Sequence, residues 1–404
     1  MIFGNGSGSL NGSAGIFIGL IQATGAVNFL YLDTGAGSAS NPNGIAYATS
    51  ADLDGDNTTD YVYAGDNLGN VWRFDLTSSN PLDWAVSKYG HSTPTPLFTA
   101  TSASGTLQPI TTSVQVAGTY MSGQVYTLIM FGTGAQTPQT NAAAIQYAPG
   151  TQSVYGIWDW DMTAWNHGQT TAHNVQIPAS MTQQAALSTP QTITRSNLQA
   201  QTVTATSAGT TGSTILGYRS VSDNNVCWQG SSICTPSTTD TMMGWYMDLP
   251  GTNEQVIYNP VIFQGALVLN TTIPPSAVQN QCTADIPTGW SMAFNIQSGG
   301  GFPAGGAFPN SSDAYSSTNP VAGIQTNGTG SPWIVTVSGS PVMITQTSNS
   351  TAIATGIGGG GGNNGGGSGG GNCTPLVCDN NGICKAMCNM NTLAGHRATW
   401  ELIR

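Results

Sequence analysis

The sequence predicts an all-β protein made of antiparallel meander sheets, and three observations carry that prediction. Short β-branched and aromatic runs recur along the 404 residues, each broken by Gly, Asn, Pro or Asp. Neighbouring runs are separated by turn sequences such as "ATG" and "LGN", at hairpin spacing. Helical patterning is scarce, and the best helical candidate, "SMTQQAALS" (Ser180 to Ser188), is short. Meander sheets with no intervening helices are accommodated by a propeller, which repeats them radially and leaves few exposed edges. A sandwich is the alternative arrangement.

Taken in order, "IFIGLIQATGAVNFLYL" (Ile16 to Leu32) reads as a hairpin turning at Thr24-Gly25. "YVYAGDNLGNVWRFDL" (Tyr61 to Leu76) reads as a second, turning through Asp66 to Asn70. The stretch from Gly244 to Pro274 reads as three strands of one meander. "GWSMAFNIQSGG" and "PWIVTVSGSPVMITQTS" continue the pattern to Ser348. Residues 101–118 and 189–214 are rich in Thr, Ser, Gln and Ala, the composition of long surface loops or of insertions between blades. The strand runs supply four or five blades, so the propeller is either complete in a modified form or partial.

Three segments follow from composition. Residues 1–355 form the β-rich body, 356–372 a Gly-rich flexible linker, and 373–404 a cysteine-rich tail. Hydrophobic residues make up 39% of the chain, enough for a substantial core. Seven Lys and Arg stand against 18 acidic residues, a net charge of −11. Nucleic acid and anionic membranes need basic patches, so both are argued against. No run of eighteen apolar residues is present, so no transmembrane helix is expected. The N-terminal stretch lacks a signal peptide's basic and apolar regions, and the chain is expected to begin inside a longer product.

One loop concentrates charge. "DLDGDNTTD" (Asp52 to Asp60) carries four carboxylates in nine residues of a chain in which 6% of residues are charged. Asp52, Asp54, Asp56 and Asp60 occupy positions 1, 3, 5 and 9 of a tight turn and can converge on one point. Such a cage suits a hard cation taking six to eight oxygens, above all Ca²⁺, with the Thr58 carbonyl completing it. Mg²⁺ prefers to keep its own waters. An EF-hand needs a Glu at position 12 and flanking helices, whereas Tyr63 and strand-like flanks stand here. A merely solvated acidic turn is the alternative.

The loop and the hairpin behind it, "DLDGDNTTDYVYAGDNLGNVWRFDL", resemble the calcium-loop blade of PilY-type proteins, type IV pilus tip-associated adhesins and biogenesis factors. "IFGNG", "IMFGTG", "SVYGIWD", "GWYMDLP", "YNPVIFQGALVLNTTIP", "GWSMAFN" and the terminal "ATWELIR" match in the same order. The resemblance implies a modified C-terminal β-propeller, with Ca²⁺ held by Asp52, Asp54, Asp56, Asp60 and the Thr58 carbonyl. It further implies adhesion and control of pilus extension against retraction. The place implied is the pilus tip, outside the cell, reached through periplasm and outer membrane, with minor pilins as partners. The surface receptor stays unnamed. No Arg-Gly-Asp triplet is present, so the integrin binding of some relatives does not carry over.

Enzyme signals are weak, and no catalytic residue or organic cofactor site is assigned. His91, His167, His173 and His396 stand alone, and the Gly-rich match around Ser368 to a nucleophile elbow lies in the linker. The sharpest rival is a quinoprotein dehydrogenase propeller, but a calcium loop contained in one hairpin leaves few open positions for a quinone; a generic calcium-stabilised propeller for surface interaction is the other alternative. Trp158, Trp160, Trp245 and Trp290 read as blade packing. Cys227 and Cys234 bracket a six-residue loop and are expected to pair, leaving Cys282 over. Cys373, Cys378, Cys384 and Cys388 lack a CxxC knuckle and read as disulfide-forming rather than zinc-binding.

Overall fold

The computed structural model describes residues 1–9, 12–121, 124–137, 145–166, 183, 187, 191–209, 215–231, 234, 241–275, 287–302, 307–308, 321–337, 340–347, 352–357, 376–378 and 384–386. Among these the chain is all-β, as the strand-and-turn alternation predicts. Five sheets of three or more strands follow one another along the sequence, and none closes on itself.

The first sheet is β1 (Ile2–Gly4), β2 (Ser13–Ile21) and β3 (Val27–Gly37), in that order. Its hairpin turns where "QATGA" predicts, with Gly25 at φ 83° and the Gln22 N–H donating to Ala26 O at 2.8 Å. Ile16, Ile18 and the partly buried Leu30 and Leu32 face the second sheet. That sheet runs β4 (Ala48–Ala51), β5 (Tyr61–Gly65), β6 (Asn70–Asp75) and β7 (Ala85–Val86), with β8 (Phe98–Thr99) also paired to β6. Every residue of β5 is buried, so this sheet is covered on both faces. The β5–β6 turn is built on Asp66. Its buried carboxylate accepts the Leu68 and Asn70 N–H groups and the Trp72 indole, at 2.8–2.9 Å.

The third sheet comprises β9 (Gln115–Met121), β10 (Gln124–Gly132), β11 (Ser153–Trp158), β12 (Leu198–Gln201) and β15 (Gly244–Asp248), ordered β12-β15-β11-β10-β9. The fourth takes β13 (Val203–Ala208), β14 (Gly217–Val221), β16 (Val261–Phe263), β17 (Ala266–Asn270), β18 (Trp290–Asn295) and β19 (Val321–Gln325), ordered β13-β14-β19-β18-β17-β16. The fifth is β20 (Gly328–Val337), β21 (Ser340–Thr347) and β22 (Ala352–Gly356). β23 (Leu376–Cys378) and β24 (Cys384–Ala386) pair as a separate ribbon, and α1 (Thr163–Asn166) is a single helical turn.

Two expectations fail. Gly244 to Pro274 is not one meander: β15 joins β11 and, in parallel, β12, whereas β16 and β17 belong to the next sheet. The connection between Asp248 and Val261 carries the chain from one sheet to the next, a change that hairpin spacing does not reveal. Residues 101–118 and 189–214 are not simply surface loops, since they supply β9, β12 and β13 and bury Ile110, Val114, Val116 and Leu198. Their polar side chains are accommodated by hydrogen bonds, as where Gln108 Nε2 donates to Thr151 O and Ser153 Oγ at 2.8 Å.

Cys227 and Cys234 form a disulfide, as expected. Trp158, Trp160, Trp245 and Trp290 are all buried in the principal core, as blade packing requires. The helical candidate Ser180 to Ser188, apart from Gln183 and Leu187, lies outside the described residues. So do His167, His173, His396, Cys282, Cys373, Cys388, most of the glycine linker, and the terminal "ATWELIR". The side chains of Cys378 and Cys384 are likewise not described.

Candidate metal centre and the buried ion pairs behind it

The acidic loop joins β4 to β5, and its own backbone shapes it. The Asp52 carboxylate folds back over the turn. Its Oδ1 accepts the Gly55 and Asp56 N–H groups at 2.7 and 3.2 Å, and its Oδ2 accepts the Asn57 N–H at 2.7 Å. Gly55 and Asn57 both take positive φ, 79° and 69°, which a glycine and an asparagine tolerate. Asp54 Oδ1 receives the Asp56 N–H, and Asp56 Oδ1 receives the Thr58 N–H at 2.8 Å. At the loop's far end Asp60 is tied into the sheet: its N–H donates to Ala51 O and its carbonyl accepts the Leu76 N–H.

Asp52, Asp54 and Asp60 come together, each offering an oxygen within 4.8 Å of the others. Asp56 stays exposed outside that trio, and Thr58 is buried beside Asp60. The Asp60 carboxylate is buried. Its Oδ2 accepts the Leu53 N–H at 2.7 Å, while its Oδ1 has no hydrogen-bond partner. Burial, reinforced by the charge of Asp54, pushes the Asp60 carboxyl up to about 8. Burial also raises Asp52 to about 6, against the lowering effect of the N–H groups of Asn57 and Gly55. Convergent carboxylate oxygens, one of them buried and unpartnered, are a donor set that fits a hard divalent cation.

Behind the loop lies a feature that motif reading passes over. Arg73, on β6, is buried and donates from Nη1 to both oxygens of Asp159, each at 2.9 Å. Its Nη2 reaches Asp161 at 3.3 Å and its Nε donates to Ser87 at 2.8 Å. The guanidinium lies 4.8 Å from the Tyr61 ring centre and 4.6 Å from that of Tyr89. Tyr63 donates its hydroxyl to Asp159 at 2.7 Å.

The device recurs. Arg219 pairs with the buried Glu254 at 2.8 Å and lies 4.0 Å from the Trp290 ring centre. Arg195 pairs with Asp248 and sits 3.8 Å over Tyr246. Three of the seven basic residues in this chain therefore hold an acid and stack on an aromatic ring, Arg73 and Arg219 in the interior and Arg195 half-buried. A signal for them existed: an isolated Arg inside a buried strand run, as in "VWRFD" and "GYRSV", needs an acidic partner.

These features define a class: an all-β propeller-type body whose second sheet carries an acidic hairpin loop at its β4–β5 junction. The family model of the PilY1 beta-propeller domain matches residues 2–214, and the chain belongs to that family. The type IV pilus biogenesis factor PilY1 of Pseudomonas aeruginosa strain PAO1 is 30% identical over 319 residues, covering 74% of this chain and 24% of the relative. A PilY1 homolog from Xylella fastidiosa is 35% identical over 165 residues, covering 39% of this chain and 11% of its own length. The crystal structure of the P. aeruginosa PilY1 C-terminal domain superposes with a TM-score of 0.60 at 25% identity, covering 89% of this chain and 69% of that one. The chain thus spans about a quarter of the length of the full-length Pseudomonas relative. Among the described residues no helix is long and apolar enough to cross a membrane.

Proposed function

We propose that this chain is a calcium-binding propeller region acting in type IV pilus biogenesis, at the pilus tip, with minor pilins as partners. The observation that carries the calcium reading is the Asp60 carboxylate. It is buried with an unpartnered oxygen and lies beside Asp52 and Asp54. Asp52, Asp54, Asp56, Asp60 and the Thr58 carbonyl would hold the ion, which supplies the positive charge that these acids otherwise lack. The pilus assignment is supported by membership of the PilY1 family and by relatives named as biogenesis factors. Adhesion to a surface and control of pilus extension against retraction belong to the same proposal. No described cluster suggests substrate chemistry, and a structural and regulatory role is favoured over catalysis.

The test pairs purified protein with cells. Calcium titration by calorimetry should give one site in the wild type and at least tenfold weaker binding in Asp60→Ala. In cells, Asp60→Ala should shift the balance of extended pili while the protein is still exported. Absence of calcium binding would remove the metal reading. Unchanged piliation on deleting the whole gene would remove the pilus reading.

A further inference from the structure

The acidic loop hangs from two core residues. Leu53 stands between Asp52 and Asp54, is buried, and belongs to the principal core. Its N–H donates to the Asp60 carboxylate at 2.7 Å, so one buried residue ties three of the acids together. Tyr61 follows Asp60 directly and is buried in the same core. Side chains alternate along β5. Val62 and Ala64 join the cluster shared with the first sheet, whereas Tyr61 and Tyr63 join the cluster shared with the third.

Tyr61 and Tyr63 both end at one ion pair. The Arg73 guanidinium lies 4.8 Å from the Tyr61 ring centre, and the Tyr63 hydroxyl donates to Asp159 at 2.7 Å. Arg73 belongs to the second sheet, and Asp159 directly follows β11 of the third. Among the described residues Arg73 makes both ion pairs that join these two sheets, one to Asp159 and one to Asp161. Asp60 is pinned beside them. Its N–H donates to Ala51 O and its carbonyl accepts the Leu76 N–H, each at 2.9 Å.

Asp60 therefore has little freedom of its own. A hard divalent cation draws its oxygens in to about 2.3–2.6 Å. The Asp60 side chain is fully buried, so closing on an ion moves the backbone that also carries Tyr61. A displaced Tyr61 ring loses the Arg73 guanidinium, and a close-packed interior takes up such a shift poorly. We propose that the Arg73–Asp159–Tyr63 cluster is a positioning unit for the acidic loop, coupling a divalent cation there to the seam between the second and third sheets. Such coupling is reciprocal: loosening the seam weakens the ion's binding, and the ion tightens the seam. The coupling rests on the calcium reading and adds to it residues that touch no ion.

Calorimetric titration of the full chain with calcium chloride tests it, using variants that each delete one hydroxyl. Tyr63→Phe removes the donor to Asp159, and Ser87→Ala removes the partner of Arg73 Nε. Both should bind calcium about fivefold more weakly than the wild type. Thr271→Val is the control. It deletes the hydroxyl that donates to Glu254 at 2.6 Å, in the buried pair with Arg219, and should bind as the wild type does. Amide exchange reads the reverse direction. Calcium should slow exchange in residues 153–162 by a larger factor than in residues 290–295 of the fourth sheet. Should Tyr63→Phe fail to fold, Ser87→Ala carries the comparison. Wild-type affinity in the seam variants overturns the coupling while leaving the calcium site standing. So does an equal weakening by Thr271→Val, or equal slowing of the two segments. No binding heat in the wild type removes the calcium reading itself, and the coupling with it.

Discussion

Arg73 and Asp159 are 86 residues apart in sequence and meet in the core, one guanidinium nitrogen lying 2.9 Å from both carboxylate oxygens. The pair ties the acidic-loop sheet to the strand end of β11 in the third sheet, and Tyr63 closes the arrangement from β5. Neither charge reaches water, so each depends on the other to offset its desolvation.

Arg73→Met leaves Asp159 buried and uncompensated, and is expected to cost about 3–5 kcal/mol in chemical denaturation. The double variant Arg73→Met/Asp159→Leu should recover a substantial part of that loss, because both desolvation costs then vanish. A single variant as stable as wild type would show that the pair contributes no coupling.

A similar argument applies where backbone meets ring. Gly156 on β11 lies under Trp245, and a Cβ there would stand 2.3 Å from the indole. The ring cannot retreat easily, since it is fully buried and its Nε1 donates to Ile296 O at 2.9 Å. Gly156→Ala should therefore cost about 1–3 kcal/mol. Gly356→Ala, with nothing within 4 Å of its Cβ position, should change stability by less than about 1 kcal/mol. Equal melting of the two variants would refute the close-packing account.

These two cases mark what the sequence exposes. The hairpins at Ile16–Leu32 and Tyr61–Leu76 were legible because turn residues and strand alternation are local, and so was the acidic loop. The Cys227–Cys234 bond was legible for the same reason. Arg73–Asp159 was not, because nothing local says which acid an isolated Arg will meet. The parallel pairing of β12 with β15 escaped for a related reason, as hairpin logic assumes that consecutive strands are neighbours. Residues 101–118 looked like loop because Thr, Ser and Gln dominate them, yet buried hydrogen bonds make those side chains acceptable inside.

The disulfide closes a short loop, Cys227 and Cys234 being seven residues apart. Chain-entropy reasoning then limits its stabilisation to about 2–3 kcal/mol. Cys227→Ser/Cys234→Ser should lower the free energy of unfolding by that amount without altering calcium binding, since neither residue belongs to the acidic loop. Unchanged stability would mean that this loop is ordered equally well without its crosslink.

The last expectation concerns pH and the acidic loop together. Burial raises Asp60 to about 8 and Asp52 to about 6, both above the ordinary value of 3.8. A carboxyl with a raised folded-state pKa favours the folded chain while protonated, and that contribution is lost as pH climbs through the folded value. In chelator the loop's contribution should therefore fall steadily between pH 5 and pH 8. Calcium reverses the trend, because it needs the ionised carboxylates and competes with protons for them. At pH 8 and a hundredfold excess over the dissociation constant, calcium should add about 2.7 kcal/mol, or roughly 3 °C in melting temperature. At pH 5 the increment should shrink to a small fraction of that. Asp60→Asn cannot ionise, so its melting temperature in chelator should vary less with pH and its calcium increment should be largely lost. Melting curves at pH 5, 6, 7 and 8, with calcium and with chelator, decide the matter. A calcium increment independent of pH, or one retained by Asp60→Asn, would place the binding site away from this loop.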